Sequence, residues 1–141
     1  MKCIDTHWVF CVLKAKLNSL DCGSALPPQF QLPSQPESPA DFALWGKFFQ
    51  LKSSIKSITN VPYHGVDKYD SNGSVDAMVF VHVDSGTGTV SELFMVPLRT
   101  FNDSWTLAHI TRHQLRTEFH AHRYALDAAG VQRLRAAVAN M

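Results

Sequence analysis

Residues 75–101 read VDAMVFVHVDSGTGTVSELFMVPLRTF, and this stretch decides the fold class. Its β-branched and aromatic residues are typical of strands, and the Gly-rich segment 84–88 between them is typical of a hairpin turn. We therefore predict strands over 75–84 and 89–101. An Asn-Asp-Ser turn follows, and a third strand over 105–115 completes a predicted antiparallel meander.

The two faces of the predicted sheet differ in polarity. In the first strand the odd positions from Val75 to Val83 are all apolar, whereas the even positions mix Asp76 and His82 with apolar residues. The second strand is apolar on both faces, which suits a central strand, but Pro97 has no N–H for a ladder. Either a bulge lies at Pro97, or the strand is at an edge on that side.

A long amphipathic helix is predicted before the meander, over residues 38–60. Ser38 and Pro39 suit the cap and the first position of a helix, and Pro62 follows its end. The apolar residues that recur at helical spacing are Phe42, Trp45, Phe48, Phe49, Leu51, Ile55 and Ile58. Asp127 is predicted to cap a final helix. The predicted class is α+β: an amphipathic helix packed on a three- to four-stranded antiparallel meander, with a C-terminal helix.

One folded domain, residues 38–141, is predicted behind an N-terminal tail and linker, residues 1–37. Prolines recur between Gly23 and Pro39, as in an extended linker.

The apolar run Trp8–Leu13 is far shorter than the roughly 20 residues that span a bilayer. We therefore expect no transmembrane span within this chain.

Composition and charge restrict the class of partner. The net charge of the 141 residues is +1, whereas nucleic-acid binders usually carry a strong basic excess, so we expect no nucleic-acid partner. Arginines nevertheless concentrate in the last third of the chain: Arg112, Arg116, Arg123, Arg133 and Arg135. They indicate either a solvated face or a patch for an acidic protein or for lipid headgroups.

Three segments carry a family resemblance: ITNVP at 58–62, DSGTGTV at 84–90 and SWTL at 104–107. The order of helix, proline stop, connector and meander resembles the small soluble domains of a mitochondrial family, the cytochrome c oxidase assembly factors and presequence-translocase regulatory subunits. The resemblance covers about residues 45–115. Members of that family typically carry an N-terminal membrane span, and in this respect the sequence differs from them.

The resemblance implies a non-enzymatic domain at the inner mitochondrial membrane that pairs with subunits of respiratory or translocase complexes. A chain without its own span would be a peripheral subunit held by its neighbours. A Trp-x-Leu strand after an Asn/Asp turn also occurs in nuclear-transport-factor-like cone folds, which gives a second interpretation of the fold.

Two histidine arrangements are candidates for chemistry. On a strand, His120 and His122 would project to one face and could share a metal, although surface histidines are the interpretation we favour. His82 and His109, in neighbouring predicted strands, could form an acid–base dyad with an aspartate or could be cross-strand pairs at a solvent face. No nucleotide-binding or hydrolase fingerprint is present, and we expect no metal and no cofactor.

We therefore expect a non-catalytic accessory or assembly subunit of a larger mitochondrial, membrane-associated complex, acting through contacts with other protein subunits. The candidate contact residues are Trp45, Phe48, Phe49, Arg112, Arg116 and Arg123. The alternative is a small cone-like enzyme or ligand-binding domain with a His/Asp pocket.

Overall fold

The computed structural model describes residues 6–20, 30–31, 42–54, 58–60, 75–84, 86–105 and 109–141. These residues form helices on both sides of a central sheet. In chain order the elements are α1 (Thr6–Leu20), β1 (Phe30–Gln31), β2 (Phe42–Leu44), β3 (Lys47–Ser54), β4 (Ile58–Asn60), β5 (Ala77–Val83), β6 (Val90–Pro97), α2 (Leu98–Ser104), β7 (His109–Thr111), α3 (Arg112–Glu118), one turn of 3-10 helix (His120–His122), β8 (Arg123–Tyr124) and α4 (Ala128–Ala139).

Within the described residues, six strands form one sheet in the order β1-β2-β3-β5-β6-β8, and β4 pairs with β7 in a separate sheet. The β3–β5 pairing is parallel, and the other pairings in the larger sheet are antiparallel. The predicted α+β class is confirmed. The sheet is not a simple meander, because β3 and β5 pair across a segment that includes β4.

The β5–β6 hairpin confirms the strand pair predicted from residues 75–101. Its turn is held by Asp84, whose Oδ1 accepts hydrogen bonds from the N–H groups of Gly86 at 2.7 Å and Thr87 at 3.1 Å. Gly88 has a φ of 67°, a left-handed conformation that glycine adopts without strain. The Gly-rich segment therefore makes the hairpin turn that its composition predicts.

The helix predicted over residues 38–60 is wrong. Its described part consists of strands, and β2 and β3 form a tight hairpin in which Leu44 pairs with Lys47. Trp45 and Gly46 occupy the turn with φ values of 52° and 82°, as a type I′ turn requires. β2 is buried throughout, whereas exposed Phe48 precedes buried Phe49 in β3. Together with the two-residue turn, these apolar residues produce the spacing that suggested a helical stripe.

The third predicted strand, residues 105–115, is also wrong, and β6 is shorter than predicted. β6 ends at Pro97, which has no N–H to continue the ladder and precedes α2. The chain thus leaves the sheet at this proline, and the predicted Asn-Asp-Ser turn lies within α2. In the described part of residues 105–115, only β7 is a strand, and α3 follows it directly.

One face of the larger sheet packs against α1 and α4. Val79 and Met95 from the sheet lie in one hydrophobic cluster with Leu13 and Leu17 of α1 and Leu134 of α4. This is the face of the odd positions of β5, which the sequence predicted to be core.

The predicted division between residues 1–37 and 38–141 does not hold for α1. Leu13 and Leu17 are almost completely buried, so this helix belongs to the folded core and is not part of a tail. The proline-rich linker predicted over residues 23–39 lies outside the described residues, apart from β1. The predicted helix start at residues 38–41 lies outside them as well.

The opposite face of the sheet packs against α2, α3 and β7. Phe80 and Phe94 from the sheet share a second cluster with Phe101 of α2 and Leu115 of α3. The Phe101 ring lies 5.4 Å from the ring of Phe80 and 5.6 Å from that of Phe119, between ring centroids. This second apolar layer covers the even positions of β5 and β6.

The C-terminal helix α4 confirms the prediction from Asp127. The Asp127 side chain accepts a hydrogen bond from the N–H of Gly130 at 2.7 Å and caps the helix. Gly130 also allows close packing, since a Cβ atom there would lie 1.8 Å from the carbonyl oxygen of Ala125.

Within the described part of the chain, no helix is both long and apolar enough to cross a membrane.

The neighbouring residues Phe48 and Phe49 distinguish the observed hairpin from a helix. Phe49 is 1% exposed, whereas Phe48 is 44% exposed. We expect Phe49→Ala to lower the free energy of unfolding by about 3–5 kcal/mol, because it leaves a cavity in the core. Phe48→Ala, the matched control, should cost less than about 1 kcal/mol. Urea unfolding followed by tryptophan fluorescence measures both, and equal losses would contradict the strand alternation.

Candidate functional site

Glu92 is the one charged residue that is fully buried in the described part of the chain, with 2% of its surface exposed. It lies in β6 on the same face as Phe94 and Val96, so strand alternation directs its carboxylate into the layer that α3 covers. An isolated carboxylate in such a position is strongly unfavourable, because it loses its hydration. Glu92 therefore needs cationic partners.

Three arginines converge on this carboxylate. Arg112 donates through Nε to Oε1 of Glu92 at 2.5 Å, and Arg123 donates through Nε to Oε2 at 2.9 Å. Arg116 binds side-on, through Nε to Oε2 at 2.8 Å and through Nη2 to Oε1 at 3.2 Å. Each carboxylate oxygen thus accepts two hydrogen bonds. We refer to these four residues as the Glu92 cluster.

Local structure places the three arginines around Glu92. Arg112 and Arg116 are one turn apart on α3 and so share a helix face. The start of α3 is fixed by a capping box in which the Thr111 side chain accepts from the N–H of Gln114 at 3.0 Å and the Gln114 side chain accepts from the N–H of Thr111 at 2.8 Å. Arg123 begins β8, which pairs with β6.

The arginines keep Glu92 ionised. Burial by itself raises the pKa of the Glu92 carboxyl, but hydrogen bonds from Arg116 and Arg112, together with their charges, outweigh burial and lower the pKa from 4.5 to about 2. The hydrogen bond to Glu92, followed by its negative charge, raises the pKa of Arg116. Glu92 is therefore ionised at neutral pH, where it faces three guanidinium groups.

Positive and negative charges lie on opposite sides of the Glu92 cluster. The side chains of Arg112, Arg116 and Arg123 are 30%, 49% and 54% exposed, whereas that of Glu92 is 1% exposed. Three positive charges and one negative charge leave a net charge of +2. The positive charge lies on the solvent side, and the negative charge is underneath.

The neighbouring-strand arrangement that suggested an acid–base dyad of His82 and His109 is not found among the described residues. His82 lies in the larger sheet and His109 in the two-stranded sheet, so they are not on neighbouring strands. Asp76 accepts the N–H of Phe48 at 2.8 Å, and Asp84 holds the hairpin turn. His82 is instead opposite Glu92 in the β5–β6 register. Burial, and then the positive charge of Arg112, lower the pKa of His82.

The metal alternative for His120 and His122 required a strand, and these residues form a 3-10 turn instead. In the described residues no three side chains among histidine, cysteine, aspartate and glutamate come together as a metal site would require. Burial, and then the charge of His120, lower the pKa of His122. The alternation that suggested a shared metal is therefore absent.

The aromatic candidates separate into different environments. Phe49 stacks on Phe42 with ring centroids 5.2 Å apart inside the core, so its prediction as a contact residue is wrong. Trp45 is half-buried at the hairpin turn, and the Arg135 guanidinium lies over its ring at 5.9 Å. Phe48 is exposed. These residues lie away from the Glu92 cluster in the sheet, since β5 separates β3 from β6.

Three of the predicted contact residues, Arg112, Arg116 and Arg123, are brought together, and the sequence analysis missed the residue that joins them. Glu92 is the single charged residue in the strand VSELFMVP, residues 90–97. A charge inside an apolar strand is a signal that it is paired.

A comparison of the sequence with protein-family models finds no match, and a comparison with curated proteins finds no similar one. The fold and the Glu92 cluster therefore carry the functional argument.

Replacing the buried carboxylate tests whether it holds the cluster. We expect Glu92→Gln to lower the free energy of unfolding at neutral pH by about 2–4 kcal/mol, because three guanidiniums lose their counter-charge. Glu118→Gln, at an exposed position of α3, should change it by less than about 0.5 kcal/mol. Chemical unfolding measures both variants, and a Glu92→Gln protein as stable as the control would contradict the assignment.

Low pH should lower the free energy of unfolding, because it protonates Glu92. The pKa of Glu92 is about 2 in the folded protein and lies near 4.5 when the chain is unfolded. The stabilisation is therefore complete above pH 4.5 and is lost as the pH falls towards 2, a loss on the order of 3 kcal/mol. Unfolding measured across this range should show a component that Glu92→Gln lacks. Parallel pH profiles for the two proteins would refute it.

Proposed function

We propose that this chain is a non-catalytic accessory or assembly subunit of a larger protein complex, and that the Glu92 cluster is its contact surface for an acidic partner subunit. The observation that carries the proposal is the convergence of Arg112, Arg116 and Arg123 on one buried carboxylate. On the family resemblance, we further propose that the complex is associated with the inner mitochondrial membrane.

The three arginine side chains are already restrained before any partner binds, and this supports a role in binding. Arginine side chains free in solvent lose rotamer freedom when they bind, at a cost of about 0.5–1.5 kcal/mol each. Here Glu92 already restrains each guanidinium through Nε, so a partner meets side chains that are ordered before binding. Arginine is also enriched among the residues that contribute most to protein–protein affinity.

The excess charge supports an acidic partner. A net charge of +2 in one small cluster attracts an acidic surface and repels a basic one, which directs both association and choice of partner. The residues outside the cluster do not add positive charge: the whole chain carries a net charge of +1, so without the +2 of the cluster the remainder is −1. Attraction of this kind weakens with ionic strength, because the Debye length is about 8 Å at physiological salt.

Native electrophoresis with mass spectrometry tests the proposal. The chain, tagged at its C-terminus, is isolated under mild detergent from the mitochondrial membrane fraction of its native cells. We expect stoichiometric co-migration with a larger complex, and we expect Arg116→Gln/Arg123→Gln to lose it. Arg112 remains to pair with Glu92 in this double variant, and thermal unfolding verifies that it is folded. Arg99→Gln, at an exposed arginine of α2, is the matched control.

A second measurement does not depend on a variant. Raising the salt concentration during isolation of the unchanged chain should release it from the complex. Migration of the chain near its own mass, or co-migration of the double variant to the same extent as Arg99→Gln, would contradict the proposed function.

A further inference from the structure

The Glu92 cluster contains more positive charge than burial of Glu92 requires. One guanidinium can bind both oxygens of a carboxylate, as Arg116 does here. The charges of Arg112 and Arg123 are additional, and the three guanidiniums repel one another around a single negative charge. A second anion on the solvent side relieves that repulsion.

The hydrogen-bond donors point to where such an anion binds. Arg112 and Arg123 each use only Nε towards Glu92, and their Nη groups donate to no other group among the described residues. Arg123 and Arg116 are the most exposed of the three side chains. The cluster therefore presents a rim of guanidinium N–H groups above a buried carboxylate, and planar guanidiniums match the spacing of phosphate oxygens.

The net charge of the cluster favours a phosphomonoester over a single carboxylate. A phosphomonoester carries a charge of about −1.5 to −2 near pH 7 and has three acceptor oxygens, which matches a net charge of +2. A single carboxylate carries half of that charge. His82 lies opposite Glu92, and its lowered pKa keeps it largely neutral at this pH, so the three arginines supply the positive charge.

The surroundings favour one compact group over a lipid surface. The charge is concentrated in three side chains on α3 and β8 and is not spread over a plane. Peripheral membrane binding usually adds apolar side chains that enter the lipid. Among the described residues the exposed large hydrophobic side chain is Phe48, on β3, which β5 separates from β6.

We propose that the solvent side of the Glu92 cluster binds a phosphomonoester dianion, through the Nη groups of Arg112, Arg116 and Arg123. The inference rests on the proposed function, and in that setting a phosphorylated side chain of the partner subunit carries the group. Glu92 remains beneath as the fixed counter-charge that sets the positions of the guanidiniums. Binding weakens below about pH 6, where the phosphoryl group takes up a proton.

Calorimetry on the full chain at low ionic strength tests the site. The probes are a short peptide with one phosphoserine, the same peptide with serine or with glutamate in its place, phenyl phosphate, and phosphatidylglycerol vesicles. We expect the phosphoserine peptide to bind, and the glutamate peptide to bind about tenfold more weakly or less. Arg116→Gln/Arg123→Gln should weaken phosphoserine binding by about tenfold or more, and Arg99→Gln should not change it.

Every other result of these titrations either supports or overturns the proposed phosphomonoester site. Similar affinity for phenyl phosphate and the phosphoserine peptide supports recognition of the phosphoryl group itself. Binding of phenyl phosphate without the peptide overturns the assignment to a partner side chain. Equal affinity for the glutamate peptide, binding of vesicles alone, or binding that the double substitution leaves unchanged overturns the phosphomonoester site.

Phosphatase treatment separates this inference from the proposed function. If the native complex depends on Arg116 and Arg123 and dissociates when it is dephosphorylated, both are supported. If it depends on these arginines and resists phosphatase, the subunit role stands and the phosphomonoester inference fails. If the double variant co-migrates like the unchanged chain, both fail.

Discussion

The interaction on which this structure depends is the ionic contact between a buried carboxylate and three arginines. Glu92 lies in a central strand on a face that is otherwise apolar, and without partners its burial would oppose folding. Its partners come from α3 and β8, so the same contact that satisfies the charge ties the second layer to the sheet. A hydrophobic residue would fill such a position without burying a charge, so the ionic contact fixes the positions of the arginines beyond what packing alone requires.

The two faces of the sheet differ in what they bury. One face is closed by α1 and α4 over a cluster of buried hydrophobic residues. The other face continues from an apolar cluster around Phe80 and Phe101 to the ionised Glu92. A close-packed apolar layer beside the arginines limits their movement.

The parts of the fold that the sequence predicts are those in which local signals agree. The turn at residues 84–88, the alternation in β5 and the cap at Asp127 each have one local solution, and all three are as predicted. Residues 42–54 satisfy a helical and a strand pattern at once, and Gly46, inside the supposed helix, was the signal that favoured a turn. Pro97 likewise marked the end of β6 and the start of α2, where the apolar composition suggested that the strand continued.

The candidate site was predictable only in part, for a related reason. The concentration of arginines in the last third pointed to Arg112, Arg116 and Arg123, but their convergence depends on α3 and on the β6–β8 pairing, which no local pattern reveals. The sequence makes Phe49 a candidate contact residue because the helical interpretation hides its alternation with Phe48. The subunit role and the mitochondrial setting remain proposals that rest on the resemblance and on the charge of the Glu92 cluster.

The most direct test of the account is to observe the arginine Nε–H groups by nitrogen-15 NMR. If Glu92 holds three guanidiniums at once, the wild-type chain should show three Nε–H signals that exchange slowly with water, and Glu92→Gln should lose all three. The Nε–H of the exposed Arg99 serves as an internal reference in both proteins. If the Nε–H groups of Arg112, Arg116 and Arg123 exchange as fast as that of Arg99 in the wild type, the cluster does not exist in solution.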